Sequence, residues 1–198
     1  MTEGGARLTG GDDVVVALLR AVNVGGVAVR SADLRAAAAE LGHTRVATYA
    51  ASGNAVFVRA PDAECATIAP RLSRALGRQA GVSVTVLHRS GEAWARLVSD
   101  LPFPEHAIDA PSRLALVCWD GTPDADAVAA FDPARYGEEE VAWRGDEAYV
   151  YYPHGIGRSR LTLDVLSRAA GRVGTARNWR TVEALGALVD ERRPPTPG

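Results

Sequence analysis

Two arginine-bearing segments hold the residue types best suited to take an anion: His154-Gly155-Ile156-Gly157-Arg158-Ser159-Arg160 and Arg177-Asn178-Trp179. Guanidinium groups grip phosphate or carboxylate through paired N–H donors, and glycine lets a ligand approach the backbone. A Ser or Asn that opens a helix leaves N–H groups and the positive dipole end facing outward. Ser159 reads as one such cap and Asn178 as another. Arg158 and Arg160 beside a helix N-terminus oppose its dipole at about 0.3–1 kcal/mol each. They therefore call for a negative partner, either a ligand or a carboxylate of the acidic stretch 92–153. Trp179 reads as a packing residue or as a stacking platform for a base, with Arg177 or Arg180 on phosphate. His154 has the chemistry of a general base, without a partner carboxylate that the sequence can place.

A third candidate lies near the start, where Arg20, Asn23, Gly25 and Gly26 follow a strand and precede a helix, a setting in which free backbone N–H groups cradle phosphate. All 22 basic residues are arginine and none is lysine, which excludes a P-loop NTPase, and no G-x-G-x-x-G is present. Ser52 and Asn54, around Gly53, place a hydroxyl and an amide at a site edge or simply build a hairpin turn. Ser52 lacks the G-x-S-x-G frame of a nucleophile elbow. Glu138, Glu139 and Glu140 are consecutive, so they alternate across a strand and suit a solvated edge. Cys65 and Cys118 stand alone, with no His at ligand spacing. No metal, disulfide or cofactor is expected, and a reducing cytoplasm fits.

The elements that must position these groups follow from periodicity. Val14 to Leu19 is a continuous apolar strand, and Ser31 caps a helix with Leu34, Ala37, Ala38 and Leu41 on one face. Val46 to Ala51 and Ala55 to Val58 form a hairpin. Asp62 opens a helix through Leu72 and Leu76 that contains Pro70, and Val82, Val84 and Val86 alternate as a strand. The order β-α-β-β-α-β is the split βαβ, or ferredoxin-like, unit. Ser90 then caps a helix that Pro102-Phe103-Pro104 ends. Leu114 to Cys118, a short helix opened by Thr122-Pro123, and the hairpin from Val141 to Tyr152 begin the order again, followed by two helices capped by Ser159 and Asn178. The expected class is α+β, two ferredoxin-like lobes with antiparallel sheets and an extra C-terminal helix.

The domain reading is a disordered tail over 1–13, lobe 1 with its linking helix over 14–101, lobe 2 with the C-terminal helices over 102–191, and a disordered tail over 192–198. With 198 residues, 47% hydrophobic and 23% charged, the chain is globular, not disordered or fibrous. The net charge of −2 gives no whole-chain reason for nucleic acid or an acidic membrane. Charge is uneven, however: 92–153 carries 4 Arg against 13 acids, and 154–180 carries 6 Arg against 1 acid. The longest early apolar run is too short for a signal sequence or a membrane span.

Leu18 to Gly26, Thr48 to Asn54, Gly157 to Thr162 and Thr175 to Val182, in that order and spacing, resemble a bacterial family catalogued as domain of unknown function 1697. The resemblance covers about residues 14–190 and departs at Val22 and Ala51, where the family carries a larger Ile and a Gln. It implies two ferredoxin-like lobes, and it implies no reaction.

The sequence thus leads to an expectation with one competitor. The first is a cytoplasmic protein that binds a phosphate-bearing ligand, nucleotide or RNA, in an Arg- and Gly-lined cleft between the lobes, as a monomer or small homo-oligomer and without a membrane. Residues from both lobes, Arg20 to Gly26 and Arg158 to Asn178, would converge there. The competitor is a non-catalytic protein–protein interaction module whose arginines are structurally paired.

Overall fold

The computed structural model describes residues 13–20, 29–50, 53–81 and 83–193; the expected tails lie mostly outside them. The chain divides into two compact units, one running to Leu97 and resuming at Leu185, the other Val98–Ala184. In the first, β1 (Val14–Leu19), α1 (Ser31–Glu40), β2 (Thr44–Tyr49), β3 (Asn54–Val58), α2 (Cys65–Ala80) and β4 (Val86–Ser90) are followed by α3 (Gly91–Ser99). Its sheet has the order β2-β3-β1-β4 with every neighbour antiparallel. A short α4 (Pro104–Asp109) leads to β5 (Leu114–Trp119), α5 (Ala125–Ala129), β6 (Glu140–Arg144), β7 (Glu147–Tyr151), α6 (Leu163–Ala170), β8 (Gly174–Asn178) and α7 (Trp179–Asp190). The second sheet, β6-β7-β5-β8, is again wholly antiparallel. Both are the split βαβ arrangement.

The pairing registers repeat. Val14 faces Val58 and Leu19 faces Val86 in the first sheet; Leu114 faces Tyr151 and Trp119 faces Gly174 in the second. Each last strand runs straight into a helix whose cap is the strand's final residue. Ser90 Oγ accepts the Ala93 N–H at 3.1 Å, and Asn178 Oδ1 accepts the Thr181 N–H at 3.0 Å. These two caps agree with the sequence expectation.

Central strands β1 and β5 are buried along their whole length, which explains why both read as unbroken apolar runs instead of alternating ones. Under α1 and α2, Val15, Ala17 and Leu19 meet Leu34, Ala38, Ile68 and Leu72. Under α6, Ala115, Val117 and Trp119 meet Leu166 and Ala170. On the other face of the first sheet Gly91 sits so close to Val14 and Val189 that a side chain there would meet them at 2.9 and 3.0 Å. On the other face of the second, the Trp179 ring packs on Tyr149 with centroids 6.3 Å apart. The end of α7 is held by a reciprocal contact: Arg45 donates to the carbonyls of Glu191 and Arg192, and Arg192 Nε donates to the Arg45 carbonyl at 2.7 Å. Cations at a helix C-terminus offset the orphan carbonyls and the dipole.

Several expectations shift. β8 was not anticipated as a strand. β4 pairs from Val86 onward, downstream of the Val82 to Val86 alternation, of which Val82 lies outside the described residues. α2 begins at Cys65 rather than Asp62 and runs through Pro70 to Gly81, whose φ of 68° stops it. Asp124, not Thr122, caps α5, and Thr162, not Ser159, caps α6. Pro104 starts a helix as well as ending one.

His43 is buried, stacks on Phe57 with centroids 4.5 Å apart, and accepts the Ala60 N–H on Nδ1 at 3.1 Å. Burial, then the charges of Arg71 and Arg59, holds its pKa below the usual 6.5. As pH falls the unfolded chain takes up this proton first, so the stability His43 confers is fully present above about pH 6.5 and is lost as pH drops toward the folded-state value. Urea midpoints measured from about pH 7.5 to about pH 5 should fall for the native chain and fall less steeply for His43→Gln, which keeps an acceptor for Ala60; equal slopes would remove His43 from the account.

A Cβ at Gly174 would lie inside the van der Waals envelope of the Trp119 ring, whereas one at Gly157 meets nothing within 4 Å. Gly174→Ala should therefore cost about 1–3 kcal/mol in urea unfolding, and Gly157→Ala close to nothing.

Candidate functional site

In the second unit the loop ahead of β6 runs beside residues 154–160, tied by the Arg160 Nε–H to the Tyr136 carbonyl at 3.1 Å. Glu138 and Glu139, which end this loop, and Glu140, which opens β6, each take a different partner. Glu138 Oε2 lies 2.7 Å from His154 Nε2, Glu139 Oε1 accepts the Ser159 hydroxyl at 2.5 Å, and Glu140 Oε1 lies 3.1 Å from His106 Nε2. His106 also stacks on Tyr151, with ring centroids 3.5 Å apart and planes 7° from parallel. The three consecutive glutamates read in the sequence as a solvated strand edge, and nothing in it marks His106. No local signal could pair them, because the partners lie 16 to 34 positions away.

Glu139 is half-buried, and its Oε2 has no partner among the described residues. Burial first, and the Glu139 charge second, push the Tyr152 hydroxyl pKa well up. Ser159 Oγ also accepts the Leu161 N–H at 2.9 Å, closing a local turn after the 3-10 turn Ile156–Arg158. Ser159 therefore does not open α6, and no helix N-terminus stands at Ser159 to favour an anion. What stays is the side-chain chemistry. Arg158 is exposed and makes no side-chain hydrogen bond or ion pair among the described residues, and Arg160, also exposed, makes only the contact to Tyr136. Gly155 and Gly157 have open space on their Cβ side.

The second segment is built differently. Arg177 is 9% exposed and its Nη1 donates at 2.7 Å to both Thr175 Oγ1 and the Ala176 carbonyl. Burial lowers its pKa to about 10. Asn178 is the cap of α7. Trp179 is 2% exposed and its indole N–H bonds Glu183 at 3.0 Å, so its role is packing and a stacked base would find no exposed ring.

In the first unit, Arg20 is half-buried and its backbone N–H bonds the Thr85 carbonyl at 2.9 Å. Asn54 is buried, and its amide donates to the Tyr49 carbonyl at 3.1 Å, closing the β2–β3 hairpin. Asn23, Gly25, Gly26 and Ser52 lie outside the described residues. The structure thus brings His154, Ser159 and Arg160 onto one loop pair and places Arg177, Asn178 and Trp179 at the β8–α7 junction; Arg20 and Asn54 belong to the other unit. Among the described residues no three His, Cys, Asp or Glu side chains gather as metal ligands, and no helix is long and apolar enough to cross a membrane.

No curated protein matches the chain significantly. A solved structure, that of the conserved bacterial protein SP0830 from Streptococcus pneumoniae, is similar to it with a TM-score of 0.68 and 19% identity, over 90% of this chain and 98% of that one. At that identity the likeness is one of fold. The family model described as protein of unknown function (DUF1697) matches residues 13–149. Two of the four motifs that suggested it, Leu18 to Gly26 and Thr48 to Asn54, fall inside that span, and the other two lie beyond it. With more than half of its length matched, the chain belongs to the DUF1697 family.

Proposed function

We propose that the protein binds a phosphate-bearing ligand, a nucleotide or RNA, with Arg158 and Arg160 supplying the charge. The observation that carries this reading is that both arginines are exposed without a carboxylate partner among the described residues, while Glu138 and Glu139 beside them are engaged by His154 and Ser159. A guanidinium free of an internal ion pair can take phosphate in the forked geometry, and Gly155 and Gly157 leave the approach open. A second reading has an observation of its own. Arg177 is buried against its own strand, Arg59 pairs with Asp13 at 2.9 Å, and Ile108 in the second unit is 81% exposed, as suits an interaction module whose arginines serve the fold.

Thermal-shift titration with ATP, inorganic phosphate and a short RNA separates the two. Binding at about 100 times the dissociation constant adds about 2.7 kcal/mol of stability, and the affinity should fall with salt, most steeply for RNA. No shift with any of the three compounds favours the interaction module.

Replacing Arg158 and Arg160 together by Gln should abolish the shift. Unfolding stability in urea should stay within about 1 kcal/mol of the native chain, since only one hydrogen bond is lost. A loss of about 3–5 kcal/mol would instead mark a buried ion pair at these positions.

A further inference from the structure

None of the residues above lines the cavity of about 580 Å³ that opens on the second unit between α6 and the loops following β5 and preceding β8. Its wall includes Asp120, Asp164, Ser167, Arg168, Arg172 and Val173. Two carboxylates and two guanidinium groups therefore meet one space, and none of the four is in an ion pair among the described residues. Asp164 and Arg168 stand one helical turn apart in the orientation that favours an i,i+4 pair, yet no such contact forms.

Two of the four charges are held in place by the loops. Asp120 and Val173 exchange hydrogen bonds, the Asp120 N–H to the Val173 carbonyl at 3.0 Å and the Val173 N–H to Asp120 Oδ1 at 3.1 Å. Arg172 Nε donates to the Thr122 carbonyl at 2.8 Å, which fixes the guanidinium against Gly121 and leaves its terminal nitrogens unengaged among the described residues. Ser167, on the same wall, has a buried hydroxyl with no partner among the described residues, where buried polar groups are normally bonded.

We propose that this cavity binds a small zwitterion, a molecule with one carboxylate and one ammonium group such as a free amino acid. The space is an open depression whose four charged side chains are exposed, so a ligand is held there by paired charges and not by enclosure. A lining with equal numbers of opposite charges rejects a phosphate dianion through Asp120 and Asp164 and a polyamine through Arg168 and Arg172. A zwitterion satisfies both signs, its carboxylate on the guanidinium groups and its ammonium on the carboxylates.

Isothermal titration of the full chain with L-alanine, L-lysine and γ-aminobutyrate, beside acetate, methylammonium and inorganic phosphate, tests this. At least one zwitterion should bind and the singly charged halves should not. Asp164 and Arg168 make no side-chain hydrogen bond or ion pair among the described residues and touch the fold only through the α6 dipole, so Asp164→Asn and Arg168→Gln should each weaken the zwitterion at least about tenfold, with circular dichroism unchanged and the urea midpoint only slightly lowered. The Arg158, Arg160 double variant should bind it as the native chain does, which separates this site from the phosphate reading. Absence of zwitterion binding at about 10 mM overturns the proposal, as does binding that survives Asp164→Asn and Arg168→Gln together, or phosphate binding by the native chain that Arg168→Gln abolishes.

Discussion

Each unit depends on covering both faces of one central strand. The side chains of β1 and of β5 are shut from water on both sides, and a Val or Leu left exposed would forfeit about 1.5–3 kcal/mol. A βαββαβ unit supplies helices for one face only. The other face needs the helix that follows the last strand, which is why both Ser90 and Asn178 turn the chain directly from strand into helix. Gly91 of α3 against Val14 of β1 in one unit and Trp179 of α7 against Tyr149 of β7 in the other are the contacts that meet that need. The Arg45 and Arg192 contact closes the helix where it would otherwise fray.

With both faces committed to packing, polar chemistry is driven to the ends of strands and the loops beyond them. The glutamates ahead of β6 illustrate it. Carboxylates that cannot enter the core instead brace the loops with His154, Ser159 and His106, and they leave Arg158 and Arg160 without internal counter-charges. At the other end of β5, Asp120 and Arg172 are fixed by loop-to-loop hydrogen bonds rather than by each other. An arginine that does enter the sheet, Arg177, is absorbed by its own strand and by Thr175.

The fold was legible where burial leaves a periodic mark. Val14 to Leu19 and Leu114 to Cys118 announce buried strands, and the order of turns between them announces two split βαβ units. β8 was not legible, because Gly174, Ala176 and Asn178 have weak strand propensity, Thr175 alone favours a strand, and the segment pairs only through register with β5. The cap at Ser159 misled for a similar reason. A Ser followed by an apolar periodic run also fits a turn, and Thr162, three residues on, competes for the same helix. Arg158 and Arg160 could be picked out from the sequence of their segment. Their state of pairing could not, since a hydrogen bond between the loop ahead of β6 and residues 154–160 leaves no trace in local sequence.

The shared registers make one pair of positions informative. Leu19 faces Val86 in the first sheet, and at the equivalent point of the second sheet Trp119 faces Gly174. A medium pair in one sheet is matched by a large and an empty one in the other, so the space between two strands is kept while its division between them changes. The two halves behave as alternative solutions to one volume, and a residue transplanted alone from one half into the other would bring half of a solution: tryptophan opposite valine overfills the site, and leucine opposite glycine leaves a void. An exchange between the halves therefore has to change both members of the pair together.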